Sequence, residues 1–182
     1  MDRVIFQDVL DRMEQSEHFR IVALGASNTE RYMPGIHWVD VLELGLRARV
    51  RRKFQIIDSG VCGNNTRNAL ARFDRDVALF QPLAVFVTLG GNDCRTDSQR
   101  VPEEEFRTNL ETIGEKIVKL NAIPIFQTYY KMDLKAMDPV TCPVSACRTG
   151  RYSENCRRWA DSSSAPILQV RPAAHTDSCG RR

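Results

Sequence analysis

Leu83-Ala84-Val85-Phe86-Val87-Thr88-Leu89-Gly90-Gly91-Asn92-Asp93 is the stretch on which the fold turns. Its first seven residues are the densest apolar run in the chain, bounded by Pro82 before and Gly90-Gly91 after. The run is the length of a strand and far short of the roughly 20 residues that span a bilayer. Beyond Leu89 the chain turns abruptly polar. A buried strand that opens into a loop of Gly, Asn and Asp delivers those groups to one edge of a sheet.

Working outward, the same pattern recurs. Arg20 to Gly25 is a short apolar run ending in glycine, and Phe54 to Asp58 reads as another strand. Ala122 to Tyr130 reads as a fourth, and Ala165 to Val170 as a fifth. Helical periodicity fills the intervals. Residues 2–15 carry Val4, Ile5, Val9, Leu10 and Met13 at helical spacing. Residues 36–52 put Trp38, Val41, Leu42, Leu46 and Val50 on one face, and Arg67 to Phe80 forms a further helix. After Pro102, suited to a first helical position, the acids Glu103, Glu104 and Glu105 meet the positive end of the helix dipole. Phe106, Leu110, Ile113, Ile117 and Leu120 then make an apolar stripe. Strands alternating with helices predict a three-layer α/β/α sandwich around a central parallel sheet, of flavodoxin-like type.

Composition narrows the class. The 182 residues are 42% hydrophobic and 27% charged, with 26 Lys+Arg against 23 Asp+Glu, values ordinary for a globular domain. No apolar stretch is long enough for a membrane span, and the N-terminus lacks the apolar core of a signal peptide, so a cytoplasmic location is expected. The charge is uneven. Residues 1–137 are neutral, whereas residues 138–182 hold seven Arg and four acids, the whole net charge of +3. That tail has no Lys or Phe but holds four of the six cysteines, Cys142, Cys147, Cys156 and Cys179. We read 1–137 as an α/β body and 138–182 as an atypical basic, Cys-rich segment, either poorly packed or the product of a frameshift near residue 138. Its Arg residues form no dense stripe, so no nucleic-acid partner is expected. Cys142, Cys147 and Cys156 have neither paired C-x-x-C spacing nor a nearby His at ligand spacing, which argues against a zinc ribbon or finger, and free thiols are expected.

In an open parallel sheet, ligands bind beyond the carboxyl ends of the strands. Three loops lie there: Gly25-Ala26-Ser27-Asn28-Thr29-Glu30, Asp58-Ser59-Gly60-Val61-Cys62-Gly63-Asn64-Asn65-Thr66, and Gly90-Gly91-Asn92-Asp93. Each alone has an ordinary structural use, as an N-capping serine, a glycine turn and an Asx-turn. Together they supply a hydroxyl nucleophile (Ser27), a backbone donor where glycine permits close approach (Gly63) and a carboxamide donor (Asn92), the set that acyl transfer requires.

These blocks resemble those of the SGNH (GDSL-type) hydrolases, a family of esterases, lipases, thioesterases and carbohydrate deacetylases. Gly25-Ala26-Ser27 is similar to the family's Gly-Asp-Ser block, with Ala26 in place of Asp. Gly60 to Thr66 is similar to its second block, and Gly91-Asn92-Asp93 matches its Gly-x-Asn-Asp block. The resemblance spans residues 20–130 and implies Ser27 as nucleophile. It also implies an oxyanion hole formed by the Ser27 and Gly63 N–H groups and the Asn92 amide. A small-molecule acyl ester is the implied substrate, with no metal or organic cofactor. The family's general base is a His in a final Asp-x-x-His block. Of three histidines, His18 and His37 read as structural, which leaves His175 as the candidate base; Pro172 stands where the Asp is expected and Thr176 where a Pro is usual. The competing reading is an SGNH-like protein impaired in catalysis that binds acylated ligands. A dinucleotide-binding domain is disfavoured because the first loop lacks the glycine fingerprint, and no phosphate loop is present.

Overall fold

The computed structural model describes residues 2–31, 34–95 and 98–127. Within them, four strands form one parallel sheet in the order β2-β1-β3-β4: β1 His18–Gly25, β2 Lys53–Gly60, β3 Ala84–Thr88 and β4 Ile123–Phe126. The helices are α1 Asp2–Gln15, α2 Trp38–Arg47, α3 Thr66–Ala71, α4 Phe73–Asp76 and α5 Glu103–Lys119, with a 3₁₀ turn at Ala78–Phe80. The expected fifth strand, Ala165 to Val170, lies outside the described residues, as does all of the 138–182 segment.

Alternate residues of a strand face opposite sides of a sheet, and β1 divides its apolar side chains accordingly. Val22 and Leu24, with Val85 and Val87 of β3, pack under Ala69, Phe73, Val77, Ile113 and Ile117. Phe19 and Ile21, with Phe86 and Ile125, pack under Val9, Met13 and Val50, joined by the partly buried Trp38. Helices α3, α4 and α5 therefore cover one face, and α1 and α2 the other. Helices thus cover both faces of the sheet, which explains why β1 and β3 read as unbroken apolar runs. A fully buried residue such as Ile113 or Ile117 contributes about 1.5–3 kcal/mol by leaving water. No described helix is long and apolar enough to cross a membrane.

Three details differ from the expectation. The helix expected from Arg67 to Phe80 is broken into α3, α4 and the 3₁₀ turn, because Arg72 leaves helical geometry at φ −104°, ψ 3° and Val77 at φ −128°, ψ −60°. The second helix begins at Trp38, so Ile36 stays outside it and is 82% exposed. Pro102 sits at the N-cap of α5, one residue before the helix, where its carbonyl accepts from Phe106 N at 2.8 Å. The α5 stripe of Phe106, Leu110, Ile113 and Ile117 is buried as its spacing requires.

Candidate active site

The register of the sheet brings the three loops to one level. Gly25 is paired with Gly60 on one side and with Thr88 on the other, so β1, β2 and β3 end in a row. The strand order reverses at β1, with β2 on one flank and β3 on the other, which makes this edge the topological switch point where open α/β sheets bind ligands. Ser27, Gly63 and Asn92 follow these aligned ends by two, three and four residues.

The first loop makes one tight turn. Ala26 O accepts from Thr29 N at 2.9 Å and from Glu30 N at 3.0 Å. Among the described residues no helix starts between the first loop and Trp38, so Ser27 is not the N-cap of a helix. Pro34 and Gly35, the latter at φ +120°, stand where a helix would have had to continue. Ser27 is half-buried. Close packing holds the turn: a Cβ on Gly60 would lie 2.1 Å from Glu30 N, so β2 passes the first loop at a distance only glycine allows.

In the second loop, Asn64 N donates to Val61 O at 3.1 Å and Gly63 has φ +76°. Cys62 is not among the residues of positive φ, so this is a type II turn with Gly63 at the position that demands glycine. The turn is stitched to the first loop by Val61 N to Gly25 O at 3.2 Å and by Cys62 N to Glu30 Oε2 at 2.6 Å. Asn65 and Asn68 then close a reciprocal capping box that starts α3.

The third loop reverses through Asp93 N to Gly90 O at 3.1 Å. The half-buried Asn92 turns its amide outward from its own segment: Nδ2 donates to Asn64 O at 2.8 Å. One amide hydrogen is thereby used, and the group carries a second. Asp93 is 3% exposed, and its Oδ1 accepts from Thr66 N at 2.9 Å and Thr66 Oγ1 at 2.6 Å. Burial pushes its carboxyl above the ordinary range, opposed by those two bonds. Its Oδ2 is buried with no hydrogen-bond partner among the described residues.

The histidines separate by position. His37 caps α2, its Nδ1 accepting from Val39 N at a long 3.4 Å while Nε2 lies 2.9 Å from Asn28 O. An accepting Nδ1 leaves the proton on Nε2, so both ring nitrogens are committed. His18 opens β1 at the opposite edge of the sheet, in a cavity of about 340 Å³ lined also by Arg12, Arg20, Gln81 and Asn121. His175 lies outside the described residues. Cys62 is an exposed thiol, and Cys94 Sγ donates to Gly90 O at 3.2 Å.

One residue of this region escaped the sequence reading. The buried positions Ala69, Phe73 and Val77 recur at helical spacing, and Arg72 and Asp76 fall on the same stripe. Arg72 is 9% exposed and pairs with Asp76 Oδ2 at 2.9 Å. Opposite charges four residues apart on an apolar stripe were the available signal. Hydrogen bonds from Arg75 and Arg72 hold the Asp76 carboxyl below its ordinary range, against the effect of burial.

Comparison with known proteins gives a consistent picture. The model of the GDSL-like lipase/acylhydrolase family matches residues 23–179. An uncharacterized lipoprotein, YqeF, of Bacillus subtilis (strain 168) is 30% identical over 118 residues, which cover 59% of this chain and 47% of the relative. The chain thus spans about half the length of that curated relative. Among solved structures, the acetylxylan esterase Axe2 of Geobacillus stearothermophilus superposes with a TM-score of 0.67 at 19% identity, covering 82% of this chain and 74% of that one. The psychrotrophic esterase EstA of Pseudoalteromonas sp. has a TM-score of 0.60 at 21% identity, covering 83% and 76%. At these identities the likeness is one of fold.

Proposed function

Since the chain belongs to the GDSL-like lipase/acylhydrolase family, we propose that it is a serine ester hydrolase acting on a small acyl ester. Ser27 Oγ attacks the acyl carbonyl carbon and its proton passes to the general base. The carbonyl oxygen, now an oxyanion, takes hydrogen bonds from Ser27 N–H, Gly63 N–H and Asn92 Nδ2. Collapse expels the alcohol, which recovers the proton, and the acyl group stays on Ser27. Water attacks by the same route and releases the acid. The sum is ester plus water to acid plus alcohol.

The observation that carries this reading is the common level of the three loops: Gly25, Gly60 and Thr88 are aligned across β1, β2 and β3 at the switch point of the sheet. Preorganised donors at the site of developing charge are usually the largest single contribution to such catalysis. The base role is assigned to His175, which lies within the span matched by the family model. His37 is unsuited to it, because its ring is engaged in capping α2 and holding Asn28.

A fluorophosphonate probe tests the reading directly. The folded wild-type chain should be labelled once and should hydrolyse p-nitrophenyl acetate, and Ser27→Ala should abolish both. Folded wild type that takes no label would overturn the esterase reading in favour of a ligand-binding protein. Retained hydrolysis in His175→Ala would remove that histidine from the mechanism.

A further inference from the structure

Arg72 stands on a stripe that packing alone would fill with an apolar side chain, between the fully buried Ala69 and Phe73. A cation there is tolerated only if its donors are satisfied, since removal from water is costly. Three acceptors do so. Nε donates to Asn64 Oδ1 at 2.7 Å, Nη2 to Gly25 O at 2.9 Å and Nη1 to Asp76 Oδ2 at 2.9 Å.

Two of those acceptors belong to different loops of the candidate site. Gly25 ends β1 two residues before Ser27, and its carbonyl has both lone pairs engaged, by Arg72 and by Val61 N. Asn64 directly follows Gly63, and its main-chain carbonyl holds the Asn92 amide. One planar guanidinium therefore reaches the first and second loops directly and the third through Asn64. A salt bridge serving stability alone would need Asp76 only.

We propose that Arg72 is a positioning residue that fixes the mutual register of Ser27, Gly63 and Asn92, with Asp76 holding its guanidinium in the bridging orientation. The proposal rests on the ester-hydrolase reading of the site. Arginine presents its donors in fixed directions from three nitrogens, whereas lysine has one nitrogen and cannot span acceptors on separate loops. Misplacing catalytic groups by about 1 Å costs on the order of 10²-fold in rate.

The test uses Arg72→Lys in the full chain, well below its melting temperature, with two readouts. The first is steady-state hydrolysis of p-nitrophenyl acetate, where kcat should fall about 10- to 100-fold while KM changes by less than about threefold. The second is the side-chain amide resonance of Asn92, which should move and exchange faster with solvent. A folded variant with wild-type kcat and an unchanged Asn92 resonance would overturn the proposal and leave Arg72 with a stability role only. An Asn92 resonance that responds in a chain whose wild type neither turns over ester nor takes the phosphonate label would instead sink the hydrolase reading while the positioning stands. Should Arg72→Lys fail to fold, Asn64→Ala cuts the Nε link and leaves the Gly25 and Asp76 contacts intact. The same two readouts then decide.

Discussion

The side-chain amide of Asn92 donates to the main-chain carbonyl of Asn64 across 2.8 Å, linking the loop after β3 to the loop after β2. The bond selects which end of the carboxamide faces the second loop. It thereby presents a second amide hydrogen at a set angle, without rotation at the moment of reaction. Asn92→Ala should accordingly lower kcat for p-nitrophenyl acetate by about 10²- to 10³-fold. The denaturation midpoint should move little, because a net hydrogen bond at a half-buried position is worth only about 0.5–1.5 kcal/mol. A variant with unchanged kcat would take Asn92 out of the oxyanion hole.

Two glycines of the second loop should respond in opposite ways. A Cβ at Gly60 meets backbone, Glu30 N at 2.1 Å and Thr29 C at 2.5 Å, and no rotamer change relieves such a clash. A Cβ at Gly63 meets nothing within 4 Å, so Ala there bears only the cost of its φ of +76°, about 1–2 kcal/mol. Gly60→Ala should therefore lose more stability in a urea titration. Gly63→Ala should lose more activity for each unit of stability, because it reorients the proposed donor. The reverse ranking would refute this division of labour.

Asp93 gives a pH signature. Burial raises its carboxyl above the ordinary value of 3.8, despite the bonds from Thr66. The native chain thus holds this proton more tightly than the unfolded chain does. The resulting contribution to stability is complete below 3.8 and is lost as pH rises through the higher folded value. Asp93→Asn keeps an acceptor for Thr66 and removes the charge, so its stability relative to wild type should rise with pH above 3.8 and level off once the folded carboxyl is ionised. A difference independent of pH, measured by chemical denaturation, would show that the Thr66 bonds cancel the effect of burial, and one that falls as pH rises would show that they outweigh it.

His37 is a capping residue, and its substitutions should behave as such. His37→Ala should cost about 0.5–2 kcal/mol and His37→Asn much less, because Asn also caps well. The acidic limb of the hydrolysis pH profile should survive in both variants. Its loss in His37→Asn would reassign the general base.

Much of the fold is legible locally. Strand runs such as Val85 to Val87 and the α5 stripe announce themselves through periodicity, since burial acts on each residue according to its own position. The break in the helix expected from Arg67 to Phe80 is not legible, because Arg72 obeys distant acceptors: its guanidinium is drawn to Gly25 O, 47 residues away. The capping role of His37 depends on Asn28 and Asp40, which only the folded loop brings near.

Glycines, a serine and an asparagine placed after successive apolar runs were enough to identify the family, the parallel sheet and the three loops that carry the candidate chemistry. The order β2-β1-β3-β4 and the level alignment of Gly25, Gly60 and Thr88 came from folding. So did the hub in which Arg72 and Asn64 tie the loops together. Periodicity records whether a residue is buried. It does not record which of many buried acceptors a guanidinium or a carboxamide will meet, because those partners come together only when the sheet assembles.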